Sequence, residues 1–119
     1  MASKLHDKNT DLLFQAILQL ETLEECYNFF EDLCTVPELK AMSQRLVVAR
    51  MLTKKNVYNT IVEETGASTA TISRVNRSLS YGCGGYHLIF ERMDNAENKA
   101  EDDIVKSYIE NDSVFDVEF

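Results

Sequence analysis

Apolar positions recur along most of the chain at three- and four-residue steps, the spacing that places side chains on one face of a helix. Leu12, Leu13, Phe14, Ala16, Ile17, Leu18 and Leu20 predict a first helix from a cap at Asn9 or Thr10 to about Leu20. That set is wider than one stripe, so the helix needs burial on several sides. Thr22 caps a second helix, because Glu25 follows three residues later in the capping-box pattern, and Cys26, Phe29, Phe30 and Leu33 form its stripe. Thr35, Val36 and Pro37 interrupt the chain, with Pro37 suited to the first turn of a third helix that ends near Leu52. The inner face of this helix reads Leu39, Met42, Leu46, Ala49 and Leu52, while Lys40, Ser43, Gln44, Arg45 and Arg50 lie largely off it. A polar connector, Lys54-Lys55-Asn56, leads to a short fourth helix over 57–65, stopped by Gly66. A fifth helix starts at a Ser68 cap and runs to Leu79 or Ser80. Gly82, Gly84 and Gly85 mark a loop, and a sixth helix covers Tyr86 to about Met93. Ile104, Val105, Tyr108 and Ile109 keep helical spacing for one more, and Ser113–Phe119 is the nearest approach to a strand-like alternation.

The expected fold class is therefore all-α. The expected organisation is one helical domain over 1–93, with a helix-turn-helix at about 57–80, and an acidic C-terminal tail over 94–119, partly helical or disordered. The first two helices are apolar on too many sides for a small bundle with one dry seam. A second copy of the chain, interwoven with the first as a homodimer, would bury that surface.

With 119 residues, 45% of them hydrophobic and 27% charged, the composition is that of one globular domain. No apolar run approaches the roughly 18 residues of a membrane span, and the first 20 residues lack the pattern of a secretory signal. The expectation is a cytoplasmic protein with no membrane partner. Cys26, Cys34 and Cys83 are odd in number and do not form a disulfide framework, and Cys83 with His87 lacks further ligands, so no metal or other cofactor is expected. Nothing pairs a nucleophile with a base, gathers carboxylates in an apolar setting or forms a phosphate-binding glycine loop, so an enzyme is not expected either.

Charge changes the picture more. The net charge of −8 opposes binding to a polyanion, yet its distribution reverses the argument. Residues 1–39 carry 2 basic and 8 acidic side chains, residues 40–92 carry 8 and 3, and residues 93–119 carry 2 and 9. A module of net charge +5 thus lies between acidic flanks, and it contains the helix-turn-helix. Ile61, Ala67, Ile72, Val75 and Leu79 supply the apolar contacts that lock such a pair, and Gly66 supplies the turn. Ile72, Val75 and Leu79 share an inward face. The opposite face carries Thr69, Ala70, Ser73, Asn76 and Arg77, short or amide-bearing groups suited to base edges, and the Ser68 end offers free N–H groups to a phosphate. Lys54 and Lys55 precede the fourth helix where backbone contacts are expected. The candidate DNA-binding residues are Ser68, Thr69, Ala70, Thr71, Ser73, Asn76, Arg77, Lys54, Lys55 and Asn59.

From Pro37 to about Met93 the chain resembles the Trp repressor family, and within it the YerC/YecD-type branch. The resemblance rests on Glu38-Leu39-Lys40-Ala41, Gln44-Arg45-Leu46, Leu52, Thr65-Gly66-Ala67, Ala70-Thr71-Ile72-Ser73-Arg74 and Ser78-Leu79. It implies an interwoven helical dimer, a probe of successive major grooves in double-stranded DNA and a transcriptional role as a repressor. It also implies a pocket for a small-molecule effector at Arg45, Arg74, Val75 and Ser78, where the family's arginines flank a tryptophan ring. At Val75 the family has a glycine that leaves room for the indole. A branched side chain there would cost about 1–3 kcal/mol of overpacking if the ligand were forced in, so tryptophan is not expected as corepressor. A family arginine that reaches a base is replaced by Asn59, so no operator sequence carries over. The competing reading is a protein-interaction module that keeps the helix-turn-helix scaffold and reads no DNA, which the acidic flanks favour.

Overall fold

The structure, a computed structural model, describes residues 6–110. It is built from six helices: α1 (Lys8–Ile17), α2 (Leu23–Leu33), α3 (Val36–Thr53), α4 (Tyr58–Thr65), α5 (Thr69–Tyr81) and α6 (Gly85–Glu110). There is no strand among the described residues, and the Ser113–Phe119 segment lies outside them. The chain divides into two units between Ser43 and Gln44, inside α3.

In the first unit the helix starts are set by side-chain caps. Asp7 caps α1 by accepting the Thr10 N–H at 2.7 Å, not the expected Asn9 or Thr10. An ionised carboxylate is the stronger acceptor for free N–H groups at the positive end of a helix. Thr22 accepts the Glu25 N–H at 3.1 Å as expected, and Glu25 reaches back to the Glu21 N–H at 3.0 Å. A second capping box starts α3. Glu38 accepts the Thr35 N–H at 2.8 Å while Thr35 Oγ1 accepts the Glu38 N–H at 3.3 Å. The Thr-x-x-Glu spacing was there to be read in what the sequence presents as a break. These hydrogen bonds hold the Asp7 and Glu38 carboxyls below their ordinary pKa values of 3.8 and 4.5. Neither α1 nor α2 contains a buried residue, and Leu12, Phe14, Leu18, Leu23 and Tyr27 are all exposed. Phe29 and Phe30 meet edge to face at 5.6 Å.

The second unit holds the core: Val48, Ala49, Ile61, Ala67, Ile72, Val75 and Phe90, with Leu52, Tyr58, Val62, Leu79 and Tyr86 half-buried against them. This corrects the expected inner face of α3. Ala49 and Leu52 turn inward, but Val48 takes the place assigned to Leu46, which is 41% exposed alongside Val47. The run Leu46-Val47-Val48-Ala49 is apolar around much of the helix, so periodicity alone could not choose which side would meet α4 and α5. Arg50, expected off that face, lies half-buried with its guanidinium 4.9 Å from the Phe90 ring centre and ion-paired with Asp94. That pair holds the Asp94 carboxyl below its ordinary range. α6 is one helix where two shorter ones were expected, and its backbone passes Met93 and Asp94 without a break.

Candidate nucleic-acid interface

Three short stretches fix the helix-turn-helix. The connector from α3 turns at Lys55, whose φ of +63° is in the left-handed region, and Asn56 binds back to the Met51 carbonyl at 3.0 Å. α4 ends at Gly66 with φ of +71°, the conformation for which glycine has no steric penalty, and the Gly66 N–H reaches the Val62 carbonyl at 2.9 Å. Gln44 donates to the carbonyl of Thr65 at 3.1 Å, tying α3 to the end of α4. Ser68 then caps α5, accepting the Thr71 N–H at 3.1 Å.

Between these caps, Ile61 from α4, Ala67 from the turn and Ile72 and Val75 from α5 are buried, with Leu79 half-buried behind them. Burial of that stripe decides what the other side of α5 presents. Thr69, Ala70, Ser73, Asn76 and Arg77 are exposed, as are Ser68, Lys54, Lys55 and Asn59. Thr71 differs from the other candidates: it is half-buried, and its hydroxyl lies 3.1 Å from Ser68 Oγ. No acidic residue stands in α5, and Arg74 and Arg77 are both solvent-exposed.

The four residues of the expected effector pocket are not brought together in the same way. Arg74 and Ser78 line an open cleft of about 240 Å³ with Arg77, Tyr81 and Gly82. Arg45 is exposed and does not line that cleft, and Val75 points into the core at 2% exposure. Ser78 also borders a more apolar hollow of about 520 Å³ with Leu46, Tyr86 and Ile89. His87 and Gly82 also position this end of α5, through contacts that no local spacing signals. His87 sets its Nε2 3.0 Å from the Leu79 carbonyl, one of the free acceptors of the last turn of α5. Gly82 admits no side chain, since a Cβ there would stand 2.3 Å from the Ser78 carbonyl oxygen. Among the described residues no group of acidic, histidine and cysteine side chains could hold a metal, and no helix is long and apolar enough to cross a membrane.

Comparison with known proteins adds the following. The family model described as Trp repressor protein matches residues 8–94. The YerC protein of Bacillus subtilis (strain 168), itself uncharacterized, is 53% identical over 97 residues, which are 82% of this chain and 93% of that one. The crystal structure of a TrpR like protein from Eubacterium eligens ATCC 27750 superposes with a TM-score of 0.75 at 56% identity, over 76% of this chain and 94% of that one. A Staphylococcus aureus protein of known structure superposes with a TM-score of 0.75 at 51% identity, over 78% of this chain and 96% of that one.

Proposed function

The chain belongs to the Trp repressor family, and on that premise we propose that it is a sequence-specific, double-stranded DNA-binding transcriptional regulator that acts as a homodimer and represses. The observation that carries this reading is the exposed, acid-free face of α5 inside the one basic stretch of an acidic chain. Thr69, Ala70, Ser73 and Asn76 would meet base edges, while Arg77, Lys54, Lys55 and the Ser68 end of α5 would take phosphates. Thr71 contributes through the cap, and Asn59 reads in place of a longer side chain. The second copy covers apolar surface that this chain leaves in water: Leu12, Leu18 and Leu23 are 67%, 79% and 74% exposed. Patches of that kind on a folded chain mark an interface.

Tryptophan is not the corepressor in this proposal, because the Val75 side chain already belongs to the core. Titration calorimetry with tryptophan should give no binding heat. A small-molecule effector of another shape would have to use the Arg74–Ser78 cleft.

Selection of bound fragments from genomic DNA by the purified protein tests the proposal. Recovery of a discrete palindromic site, bound with a logarithm of affinity that falls linearly with the logarithm of salt, supports it. Uniform failure to retain duplex at low salt overturns it. The net charge of −8 favours a second reading, a protein-interaction module on the same scaffold with no DNA partner, and that failure is the result it requires.

A further inference from the structure

Among the described residues α6 is buried only at Phe90; it is pinned at Asp94 and then continues as helix to Glu110. Every side chain from Asn95 to Ala100 is exposed, and so are Asp103, Ile104 and Lys106. Residues 94–110 carry six acidic and two basic groups, so the helix leaves the core as an acidic arm. Its root is at the other end of the charge scale. Asp94 takes both terminal nitrogens of Arg50, Nη1 at 3.4 Å, in the last turns of α3. Lys54 follows Arg50 by one helical turn and leads straight into Lys55 and α4. The carboxylate of Asp94 is also stabilised by the charge of Lys54, and Arg50 is stabilised by Glu97 one turn further along α6. Asp94 therefore occupies the Arg50 cation just before the helix-turn-helix, and Glu97 stands one helical turn further along the same arm.

We propose that the arm of α6 is an intramolecular acidic brake on nonspecific DNA binding, with Asp94 and Glu97 competing with phosphate for the Arg50–Lys54 end of α3. The inference rests on the DNA-binding reading above and assigns its regulation. Nonspecific affinity comes from cations displacing counterions from phosphate. A cation already neutralised within its own chain displaces fewer of them, and the rest of the arm adds a negative potential within a Debye length of about 8–10 Å. Base-edge contacts from α5 are short-ranged and lose little. The brake therefore widens the ratio of specific to nonspecific affinity.

The test uses the full-length chain and a fluorescent duplex of scrambled sequence, with binding followed by anisotropy as salt is raised. Glu97 is exposed and accepts no hydrogen bond among the described residues, so Glu97→Gln should leave melting nearly unchanged, and Asp94→Asn is read beside it. Each variant should bind the scrambled duplex about 3- to 10-fold tighter than wild type at low salt, with a salt slope steeper by about 0.9, one added phosphate contact. Glu24→Gln, the same charge change on α2, should shift affinity by less than either. Equal tightening by Glu24→Gln, or none by Glu97→Gln and Asp94→Asn while the wild type binds, overturns the brake. Absence of binding by all four proteins at every salt overturns the DNA-binding reading itself, and the brake with it.

Discussion

At the scale of single residues, backbone geometry and caps carry much of the local order. Gly66 has open space around its Cβ position, so Gly66→Ala tests conformation alone. Holding alanine at φ of +71° should cost about 1–2 kcal/mol in urea unfolding, with an unchanged slope. Ser68→Ala should cost about 1 kcal/mol through the lost cap and weaken DNA binding as well, which separates it from Thr22→Ala, a loss of stability alone. The Glu38 carboxyl, held below its ordinary 4.5 by Thr35, gives a pH prediction. A carboxyl whose pKa is depressed on folding contributes stability above its unfolded value, and that stability is lost as pH falls through the folded one. Glu38→Gln should therefore lower the melting temperature most at neutral pH and flatten its decline below about pH 4.5, so that the two curves converge in acid. The caps at Thr22 and Ser68 were legible in sequence, because each precedes a clear helical stripe. Asp7 in place of Asn9 was not, because several acceptors in a row compete and only the final backbone path selects one.

At the scale of elements, α5 is decided by its buried side. Ile72 is fully buried in the core, and Ile72→Ala should cost about 2–5 kcal/mol, with collapse of the helix-turn-helix signal in hydrogen exchange. Arg77→Ala should leave melting nearly unchanged and lower the magnitude of the salt slope of DNA binding by about 1. If its slope matches wild type, Arg77 touches no phosphate. The inward stripe Ile72, Val75 and Leu79 could be read directly from its three- and four-residue steps, and so could the exposed face opposite. α3 could not be read this way. Its apolar residues surround the axis from Leu46 to Ala49, so the sequence allowed either Leu46 or Val48 to face inward. Packing of α4 and α5 chose Val48 and left Leu46 and Val47 in water. Asp94 interrupts the apolar run of α6, so spacing alone predicts two pieces, yet that same aspartate fastens the helix to Arg50.

At the scale of the whole molecule, the exposed apolar residues of α1, α2 and α3 are the surface that the proposed dimer would bury, and burial between copies would make stability depend on concentration. A dimer held by those faces should show a melting temperature that rises with protein concentration, and Leu18→Glu should abolish that dependence and halve the mass in sedimentation. Invariance of melting over a hundredfold dilution would instead describe a chain stable alone. The charge segregation belongs to this scale too. An acidic chain can serve a polyanion partner only if its carboxylates stand apart from the binding face or are spent on neighbouring cations, and Asp94 does the second.

The amino-acid order by itself determined the all-helical class, the caps at Thr22 and Ser68, the stop at Gly66, and the stripe that turns one side of α5 inward. Each of these depends on residues within a few positions of one another, where spacing and capping chemistry act directly. Only the tertiary structure decided which side of α3 is core, that Arg50 lies over Phe90 and binds Asp94, that Val75 is sealed from solvent while Arg74 and Ser78 share a cleft, and that Gln44 closes the end of α4. Those outcomes depend on partners 21 to 44 residues apart in the hydrogen bonds and on competition between equally apolar faces, which no local period can rank.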